Sequence, residues 1–438
     1  MKSLFLATLL PALIWAQSYR EIIQAIDQAP SLQSAKQMEA ASKHLYESTR
    51  AKSLPSLDVT LNAAWLHETP TATFRMPPSF QPLKAPMGKK TNYVGEIALK
   101  YPVFTGFAIT AMIDKARWQK EQARLKVRDL KRNLYMNATQ LITAILSVES
   151  NINALHKARE AMEAAYRKAN GLYKNGLLPP SDLYNIKARK SDIDAALTEA
   201  VAQKKQLLNR LSYLIGKPVT SVQIPAQPEQ SFDRARIIEE ALQKREDIRA
   251  LEASLKMDEA DLRLAKSAYY PTVAAAVALK RQGDSLALNG NGIMNADQSY
   301  VGIETSWNLF HGFGDKHRIE AARLKKLSAQ TALNDYKNRV KTELQNAFLQ
   351  LDALAEKEKS ARAQVRAQEA YYKLTEGRFA NKLAGADELS RSIADLAAAR
   401  AKADTIRAKI FNQKVTIALM AGVDTFETLF AKGDFQKP

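Results

Sequence analysis

An internal duplication with a constant offset constrains this chain more than any other feature of its sequence. Residues 101–107 (Tyr-Pro-Val-Phe-Thr-Gly-Phe) align with residues 307–313 (Trp-Asn-Leu-Phe-His-Gly-Phe). The same offset aligns Gly171-Leu-Tyr173 with Gly377-Arg-Phe379 and, without any gap, continues to Gly216 and Gly422. A repeat of this kind predicts two copies of one structural unit in a single fold.

Each half has the pattern of a helix, two strands, a very long helix and a last helix. The first repeat (17–216) has a predicted helix over about 31–53, strands over about 56–66 and 92–104, and helices over about 107–173 and 181–214. The second repeat (234–438) has a predicted helix over about 235–268, strands over about 272–281 and 299–310, helices over about 316–379 and 387–419, and a C-terminal tail. Pro55 and Pro271 end the first helices, and the proline-containing segment 217–233 is the predicted linker.

The N-terminus has the pattern of a signal peptide over residues 1–16. Lys2 precedes an apolar run from Leu4 to Trp15, and Ala16 is a suitable residue for cleavage. The run is short for a bilayer and contains Pro11, and no other segment reaches the apolar length of a membrane-spanning helix. If the chain spans a membrane, we therefore expect it to do so with strands.

The predicted strands alternate between apolar and polar residues. In the first strand, Leu57, Val59 and Leu61 alternate with polar residues such as Thr60, and Glu96 and Lys100 lie on the polar side of the second. This pattern is typical of a barrel wall between lipid and a wet lumen, and a half-buried sheet in a soluble domain is the alternative. Aromatic residues near the strand ends fit an interfacial girdle, namely Trp65, Tyr93, Tyr101 and Trp307.

Four strands are too few to close a barrel, and an open edge in lipid would leave backbone groups unpaired. Several chains must therefore share one barrel. Two chains would give eight strands, a narrow barrel, and three would give twelve. The connections 68–91, which is rich in proline, and 288–292 are predicted to be exposed outer loops.

The long helix of the first repeat carries apolar residues at the spacing of a coiled-coil seam. These residues are Val127, Leu130, Leu134, Leu141, Ile145, Val148, Ile152 and Leu155.

This arrangement resembles the TolC-like outer-membrane efflux protein family (outer membrane factors) over nearly the whole mature chain. The resemblance is carried by Pro55 and Pro271, by the strand–helix junctions containing Phe104, Gly106, Phe310 and Gly312, and by the turn from Leu172 to Leu183. It implies a mainly α chain with transmembrane β-strands. Three chains would form a twelve-stranded barrel in the outer membrane and a periplasmic α-helical barrel. It also implies docking on a periplasmic adaptor (membrane fusion) protein and an inner-membrane pump, for efflux or type I secretion.

By this resemblance, the turns between the last two helices of each repeat form the periplasmic tip. Asp182, Asp387 and Glu388 are candidate gate carboxylates, with Arg378 as a candidate partner. The candidate adaptor-docking residues are Tyr173, Gly176, Ser181, Leu183, Phe379 and Leu389. The alternative is that Ser181-Asp182 and Asp387-Glu388 simply cap their helices. The second turn departs from the pattern because Lys382 stands where the first has Gly176.

The sequence contains no recognisable catalytic motif, so we expect no enzyme, no cofactor and no metal. His311 and His317 flank a glycine-containing turn without a third ligand nearby in sequence. The formal charge of +18 would suggest nucleic acid in a cytosolic protein, but the signal peptide argues against that partner and favours outer-membrane lipid. The basic residues after the strands form either a collar for lipid headgroups or a solvated, ion-paired helix surface. A periplasmic coiled-coil adaptor that does not span the membrane is the alternative function.

Overall fold

The computed structural model describes residues 17–75, 77–78, 81–224, 232–292 and 294–431. The predicted signal peptide, residues 225–231 of the predicted linker and residues 432–438 lie outside this part of the chain. The described residues form two compact units. The helical unit consists of the described parts of Met1–Met38, Arg124–Ala250 and Asn334–Pro438, and the sheet unit consists of those of Glu39–Ala123 and Leu251–Leu333.

The order of elements confirms the duplicated unit. The first repeat contains β1 (Gln17–Ser18), α1 (Tyr19–Ile26), α2 (Pro30–Ala51), β2 (Ser56–Trp65), β3 (Thr71–Arg75), β4 (Pro82–Pro86), β5 (Thr91–Thr105), α3 (Ala108–Lys174) and α4 (Pro180–Ile215). After β6 (Val222–Gln223), the second contains α5 (Arg234–Lys244), α6 (Glu246–Lys266), β7 (Thr272–Gly283), β8 (Tyr300–Ser306), α7 (Gly314–Ala380), α8 (Ala386–Ala421) and α9 (Val423–Phe426). Helices α3 and α7 both have 67 residues, and α4 and α8 both have 36, as expected for two copies of one unit. None of the described helices is both long and apolar enough to cross a lipid bilayer.

Four strands of the sheet unit form one antiparallel sheet in the order β2-β5-β7-β8. The two hairpins are joined through β5 and β7, which leaves β2 and β8 at the edges. Strand β8 is shorter than the predicted strand 299–310, because Ser306 pairs with Thr272, the first residue of β7. Within the described part of the chain, residues 307–310 of the predicted strand therefore have no neighbouring strand.

Two further predictions differ from the structure. The predicted helix 235–268 is broken at Arg245, whose backbone is extended (φ −60°, ψ 129°) although the sequence has neither Gly nor Pro there. The connection 68–91 is not wholly irregular, because it contains the hairpin β3–β4. Proline is tolerated in this short hairpin because it occupies positions that need no ladder donor.

The core of the helical unit brings both ends of the described chain together. The ring of Tyr19 in α1 packs edge-on against Phe411 in α8, with centroids 5.2 Å apart. Phe426 and the π-helical Phe430 (segment Glu427–Ala431) are also buried in this core. The predicted C-terminal tail is therefore a packed element up to Ala431. Within the predicted linker, Val222–Gln223 pair in parallel with β1.

The buried stripe of α3 differs from the predicted seam by a rotation of about one residue. Leu134 and Ile145 are buried as predicted, but Tyr135, Ala138 and Ile142, which lie outside the predicted seam, are deeply buried as well. Leu141, which the spacing placed in the seam, is only partly buried. The difference arises because the helix packs against several elements of this core at once and not against one partner helix.

A network of buried charges surrounds the break between α5 and α6. The Asp247 carboxylate accepts hydrogen bonds from Arg132 (3.0 Å), Arg245 (3.0 Å) and the Tyr336 hydroxyl (2.7 Å). Burial acts to raise the pKa of Asp247, but the charges of Arg245 and Arg132 outweigh it and hold that pKa below its ordinary value. Glu246, which is 1% exposed, accepts from the Val423 backbone N–H (3.2 Å). These contacts account for the unpredicted helix break.

Many of the basic residues after the strands are paired with acidic residues from other helices. In the sheet unit, Lys115 contacts Asp261 at 2.8 Å and Lys325 contacts Asp258 at 3.2 Å. In the helical unit, Lys131 contacts both Asp27 and Glu427. This geometry favours the ion-paired helix surface over a collar of unpaired charges. The sequence alone did not identify these acidic partners, because they are distant along the chain.

Candidate functional site

The two helix–helix turns of the helical unit have the same backbone structure. The first turn (residues 175–179) joins α3 to α4, and the second turn (residues 381–385) joins α7 to α8. In the first, the N–H of Leu177 donates to the carbonyl of Leu172 (2.9 Å). In the second, the N–H of Leu383 donates to the carbonyl of Arg378 in the same way (2.8 Å). Both bonds span five residues, which is the pattern of a Schellman motif at a helix C-terminus.

At the first position where the two turns differ in sequence, the glycine and the lysine adopt the same conformation. Gly176 has a φ of +67° and Lys382 a φ of +61°. Asn175 and Asn381 precede them, and the side-chain amide of each donates to the carbonyl four residues earlier, at 2.8 and 2.9 Å. The departure from the family pattern at Lys382 therefore leaves the turn geometry intact, although a left-handed lysine is strained by roughly 1–2 kcal/mol.

The helix ends at these turns share a small apolar core. Phe379 and Leu389 are 3% and 4% exposed, and they pack with Met162, Ala169 and Ile186. Two of the six predicted docking residues thus lie inside the chain, where they hold the two turns together and are not available at its surface. Of the other four, Tyr173, Gly176 and Ser181 are exposed and Leu183 is partly buried.

The candidate gate residues lie in or beside the first turns of α4 and α8. Arg378 donates to the Glu388 carboxylate (2.8 Å) and to the carbonyl of Leu383 (3.1 Å), so it ties the second turn to α8. Asp387 forms an ion pair with Arg391 at 2.7 Å. Asp182 has no ion pair among the described residues. It lines a groove between the two turns together with Lys382.

The alternative of side-chain capping does not match the helix starts. Helices α4 and α8 begin at Pro180 and Ala386, and their N-cap residues are Pro179 and Gly385, neither of which makes a side-chain cap. The predicted capping residues, Ser181 and Asp387, lie two positions after these N-caps. The acidic residues nevertheless lie in the first helical turn, where a negative charge is favourable.

The strand–helix junctions have two successive residues in the left-handed conformation. Gly106 and Phe107 have φ values of +59° and +68°, and Gly312 and Phe313 have +55° and +65°. The ring of Phe107 packs edge-on against Phe104, and the ring of Phe313 packs in the same way against Phe310. The sequence predicted that these junctions correspond to each other in the two repeats, but it did not predict a phenylalanine in the left-handed conformation.

One face of the four-stranded sheet is apolar and exposed. Residues paired across neighbouring strands lie on the same face, so Leu57, Leu99, Val277 and Val301 form one row. Their exposed fractions are 67%, 43%, 41% and 80%. Parallel rows on this face consist of Val59, Ile97 and Leu279, and of Tyr101, Ala275 and Ile303. So large an apolar face on a single chain marks a surface for lipid or another protein.

The opposite face of the sheet is polar or lined by small residues. Thr60, Glu96 and Lys280 form one row across β2, β5 and β7. Ala276 and Ala278, which are buried, follow along β7. The alternation predicted from the sequence therefore holds across the sheet, and the alanines of β7 lie on its polar face.

One pair of residues was not identified from the sequence. Leu177 and Leu383 project from corresponding places in the two turns, with exposed fractions of 53% and 69%. The constant offset of the repeat would have aligned them. Near the second junction, His311 Nδ1 lies 3.8 Å from Asp315. Within the described part of the chain, no three side chains of the metal-binding types converge.

Comparison with known proteins is consistent with these features. The structure of the outer membrane protein VceC from Vibrio cholerae is similar with a TM-score of 0.76 and 15% identity, over 92% of this chain and 96% of that chain. The CmeC outer membrane channel of Campylobacter jejuni gives a TM-score of 0.78 and 15% identity, over 96% and 90%. The open-state MtrE outer membrane channel of Neisseria gonorrhoeae gives 0.67 and 16%, over 96% and 91%. At such identities these similarities show the fold. No curated protein sequence matches the chain.

A family model described as outer membrane efflux protein matches residues 22–217 and 237–423. The two matched ranges contain both strand pairs, both long helices and both helix–helix turns. This family consists of channel proteins of the outer membrane and is not an enzyme family. Because the match extends over most of its length, the chain belongs to the outer membrane efflux protein family.

Proposed function

We propose that the chain is one subunit of a homotrimeric outer-membrane channel, the passive exit duct of a tripartite efflux or type I secretion system. The observation that carries this proposal is the open sheet β2-β5-β7-β8, with one exposed apolar face and one polar face. Its two edge strands each have one neighbour among the described strands. In lipid, unpaired strand edges cost several kcal/mol for each backbone group, so copies of the chain must complete the wall.

The number of copies follows from the size of pore that an exporter needs. Four strands from each of three chains give a twelve-stranded barrel, whereas two chains give eight strands, whose interior is filled by side chains. The apolar rows would face lipid, and the row of Thr60, Glu96 and Lys280 would face a wet lumen. The alternative of a periplasmic adaptor that does not span the membrane gives no account of the two amphipathic strand pairs.

The basic test of this function is the state in which the protein is recovered. We expect a trimer that is extracted from outer membranes only with detergent, dissociates on heating, and forms channels in planar lipid bilayers. Recovery of the full chain as a water-soluble monomer with its strands folded would contradict the proposal.

Arginine substitutions on adjacent residues of β2 distinguish the two faces of the sheet. We expect Val59→Arg to reduce assembly strongly, because a cation on the lipid face costs about 2–4 kcal/mol near the membrane centre. Thr60→Arg is the matched control, since it places the same side chain on the opposite face of the same strand and should assemble. The measurement is the yield of heat-dissociable trimer in outer-membrane fractions. Equal yields for the two variants would contradict the assignment of the faces.

The two helix–helix turns would form the periplasmic end, where the channel meets its adaptor and pump. The docking surface would be the exposed residues Tyr173, Gly176 and Ser181 with the partly buried Leu183, while Phe379 and Leu389 support it from inside. Substrate selection would belong to the pump and adaptor in this arrangement. We propose no catalytic role for the chain.

The ion pair between Arg378 and Glu388 would help to hold the shut state of the tip. We expect Arg378→Glu and Glu388→Arg each to raise the resting conductance in bilayer recordings, by up to about fivefold, because the pair is partly exposed and therefore weak. The double exchange should return the conductance towards its original value. Additive effects of the two substitutions, with no rescue, would show that the pair does not act in gating.

A further inference from the structure

The outer connection of the first hairpin carries a second, smaller hairpin, which forms its own sheet close to the end of β2 and β5. Beyond the end of β2, the N–H of Leu66 donates to the carbonyl of Lys90 (2.7 Å), and the N–H of Met87 donates to the carbonyl of Pro70 (2.6 Å). The pair β3–β4 begins at the next position, Thr71. Residues 67–69 and 88–89 lie between these two bonds, and β3–β4 forms a separate two-stranded sheet that begins close to the end of the β2–β5 ladder.

The base of this small hairpin is fixed to the connection of the second hairpin. Lys89 forms an ion pair with Asp284 at 3.1 Å, and the hydroxyl of Thr91 donates to the carbonyl of Asp284 at 2.7 Å. The hairpin is thus held in a defined position at the end of the sheet.

The two faces of the small hairpin differ sharply in chemistry. Phe74 pairs with Leu83 on one face, next to the pair of Ala72 and Ala85. The exposed fractions of Phe74 and Leu83 are 43% and 63%. The other face, one residue out of phase, carries Arg75 in β3 and Lys84 in β4, together with threonines and prolines. The hairpin is therefore amphipathic and cationic.

Its charge is poorly balanced within the chain. The connection 66–91 contains four basic residues, Arg75, Lys84, Lys89 and Lys90, against one acidic residue, Glu68. Asp284 forms an ion pair with Lys89. Neither Arg75 nor Lys84 forms an ion pair with any residue in the described ranges. These two cations are available for anions outside the chain.

The free edge of β4 is unsuited to pairing with another strand. The bond from Met87 to Pro70 makes these two residues a hydrogen-bonded pair of the antiparallel ladder. Hydrogen-bonded and non-hydrogen-bonded pairs alternate, so the backbone N–H positions of residues 82, 84 and 86 point away from β3. Pro82 and Pro86 have no N–H, which leaves only Lys84 as a donor on that edge. Prolines and a lysine on an edge prevent strand addition. This argues against a second copy extending the hairpin along β4.

The position of the hairpin indicates which surface it meets. It follows Trp65 and precedes Tyr93, the aromatic residues at this end of β2 and β5, which are suited to a membrane–water interface. The five residues from Leu66 to Thr71 include bends and span at most roughly 17 Å, so β3–β4 begins within that distance of these aromatic residues. If the sheet crosses the outer membrane as proposed above, the hairpin lies at the headgroup level of the outer leaflet.

From this geometry we infer that hairpin β3–β4 binds outer-leaflet lipids whose phosphate groups carry uncompensated negative charge, as those of lipid A do. Phe74 and Leu83 enter the acyl boundary, and Arg75 and Lys84 reach the lipid phosphates from the opposite face. Amphipathic segments bind interfaces by this combination of apolar area and cationic charge. Long basic side chains can extend their charged ends to the headgroups while their stems remain in apolar surroundings.

The chain contains no cysteine, so a single introduced thiol can report on this face. Ala85→Cys, on the apolar face, is labelled with an environment-sensitive fluorophore in the full-length trimer. The trimer is placed in nanodiscs of phosphatidylcholine alone, with lipid A, or with dephosphorylated lipid A. We expect a blue shift with lipid A only, and no effect of added inorganic phosphate. In the labelled protein, the double substitution Arg75→Gln and Lys84→Gln should raise the fraction of lipid A that gives half of the maximal blue shift roughly thirtyfold.

The matched control removes two exposed charges from the helical unit instead, Lys359→Gln with Lys373→Gln, and should leave the response unchanged. An equal response to dephosphorylated lipid A would overturn the role of the phosphates. A label that is already fully blue-shifted in phosphatidylcholine alone would show that this face is shielded without charged lipid phosphates, which also overturns the inference. No response from a trimer that inserts and conducts would refute lipid binding alone, whereas failure to insert would refute the proposed channel.

Discussion

Replacing Gly106 by alanine is expected to destabilise the sheet unit by about 3–5 kcal/mol. The φ of +59° costs a residue with a Cβ about 1–2 kcal/mol, and the added atom would lie 2.7 Å from the carbonyl oxygen of Ser267 and 2.9 Å from Tyr270. A backbone oxygen cannot move aside as a flexible side chain can. The junction between β5 and α3 would therefore have to shift, and with it the start of the long helix.

The second repeat supplies the matched control for this prediction. Gly312 has nearly the same φ, +55°, but a Cβ built there meets nothing within 4 Å. Gly312→Ala should therefore cost only the conformational strain, about 1–2 kcal/mol. Urea unfolding of the detergent-solubilised trimers, followed by tryptophan fluorescence, measures both variants. Equal losses at the two glycines would mean that the contact with Ser267 has no energetic weight.

Replacing Asp247 by alanine is expected to destabilise the helical unit by about 3–5 kcal/mol. The substitution leaves Arg132 and Arg245, which are 4% and 6% exposed, without their shared carboxylate. Removing one partner from a buried charge network is costly because the remaining charges stay desolvated. Asp352→Ala is the control, because its ion pair with Arg234 is exposed and should contribute less than about 1 kcal/mol.

The pH dependence of unfolding gives an independent measure of the same network. The pKa of Asp247 is lower in the folded protein than in the unfolded chain, so its contribution is fully present above the unfolded value of about 3.9. It is lost as the pH falls through the folded pKa. Asp247→Asn should thus lose stability near neutral pH and show a shallower further loss below about pH 4. A variant with the same acid slope as the original protein would contradict this role.

The sequence was sufficient to predict the order of elements because the duplication repeats the same signals twice. A misjudged signal in one half is corrected by its counterpart in the other, and the long helices are predicted within about two residues at each end. The helix break at Arg245 was missed for a physical reason: Arg245 donates to Asp247, and the same carboxylate binds Arg132, which is 115 positions away along the chain. No local pattern contains that information.

Helix α1 was missed although its signals are present in the sequence. Ser18 and Glu21 form a capping box, and Tyr19, Ile22 and Ile26 are spaced for one helical face. Its short length and its position beside the predicted signal peptide obscured it. In the turns, the pairing of Arg378 with Glu388 could be anticipated from charge and spacing. The burial of Phe379 and Leu389 could not, because it depends on how four helix ends pack together.

The aromatic contact between Tyr19 and Phe411, with Phe430 beside it, also determines when during synthesis the helical unit can fold. A ribosome makes the first of these residues some four hundred positions before the last. The centre of the helical unit must therefore stay unfinished, with its apolar surface open to water, until Phe430 has been made. Prematurely terminated products cannot close this centre, which makes them recognisable to proteases and chaperones as incomplete chains.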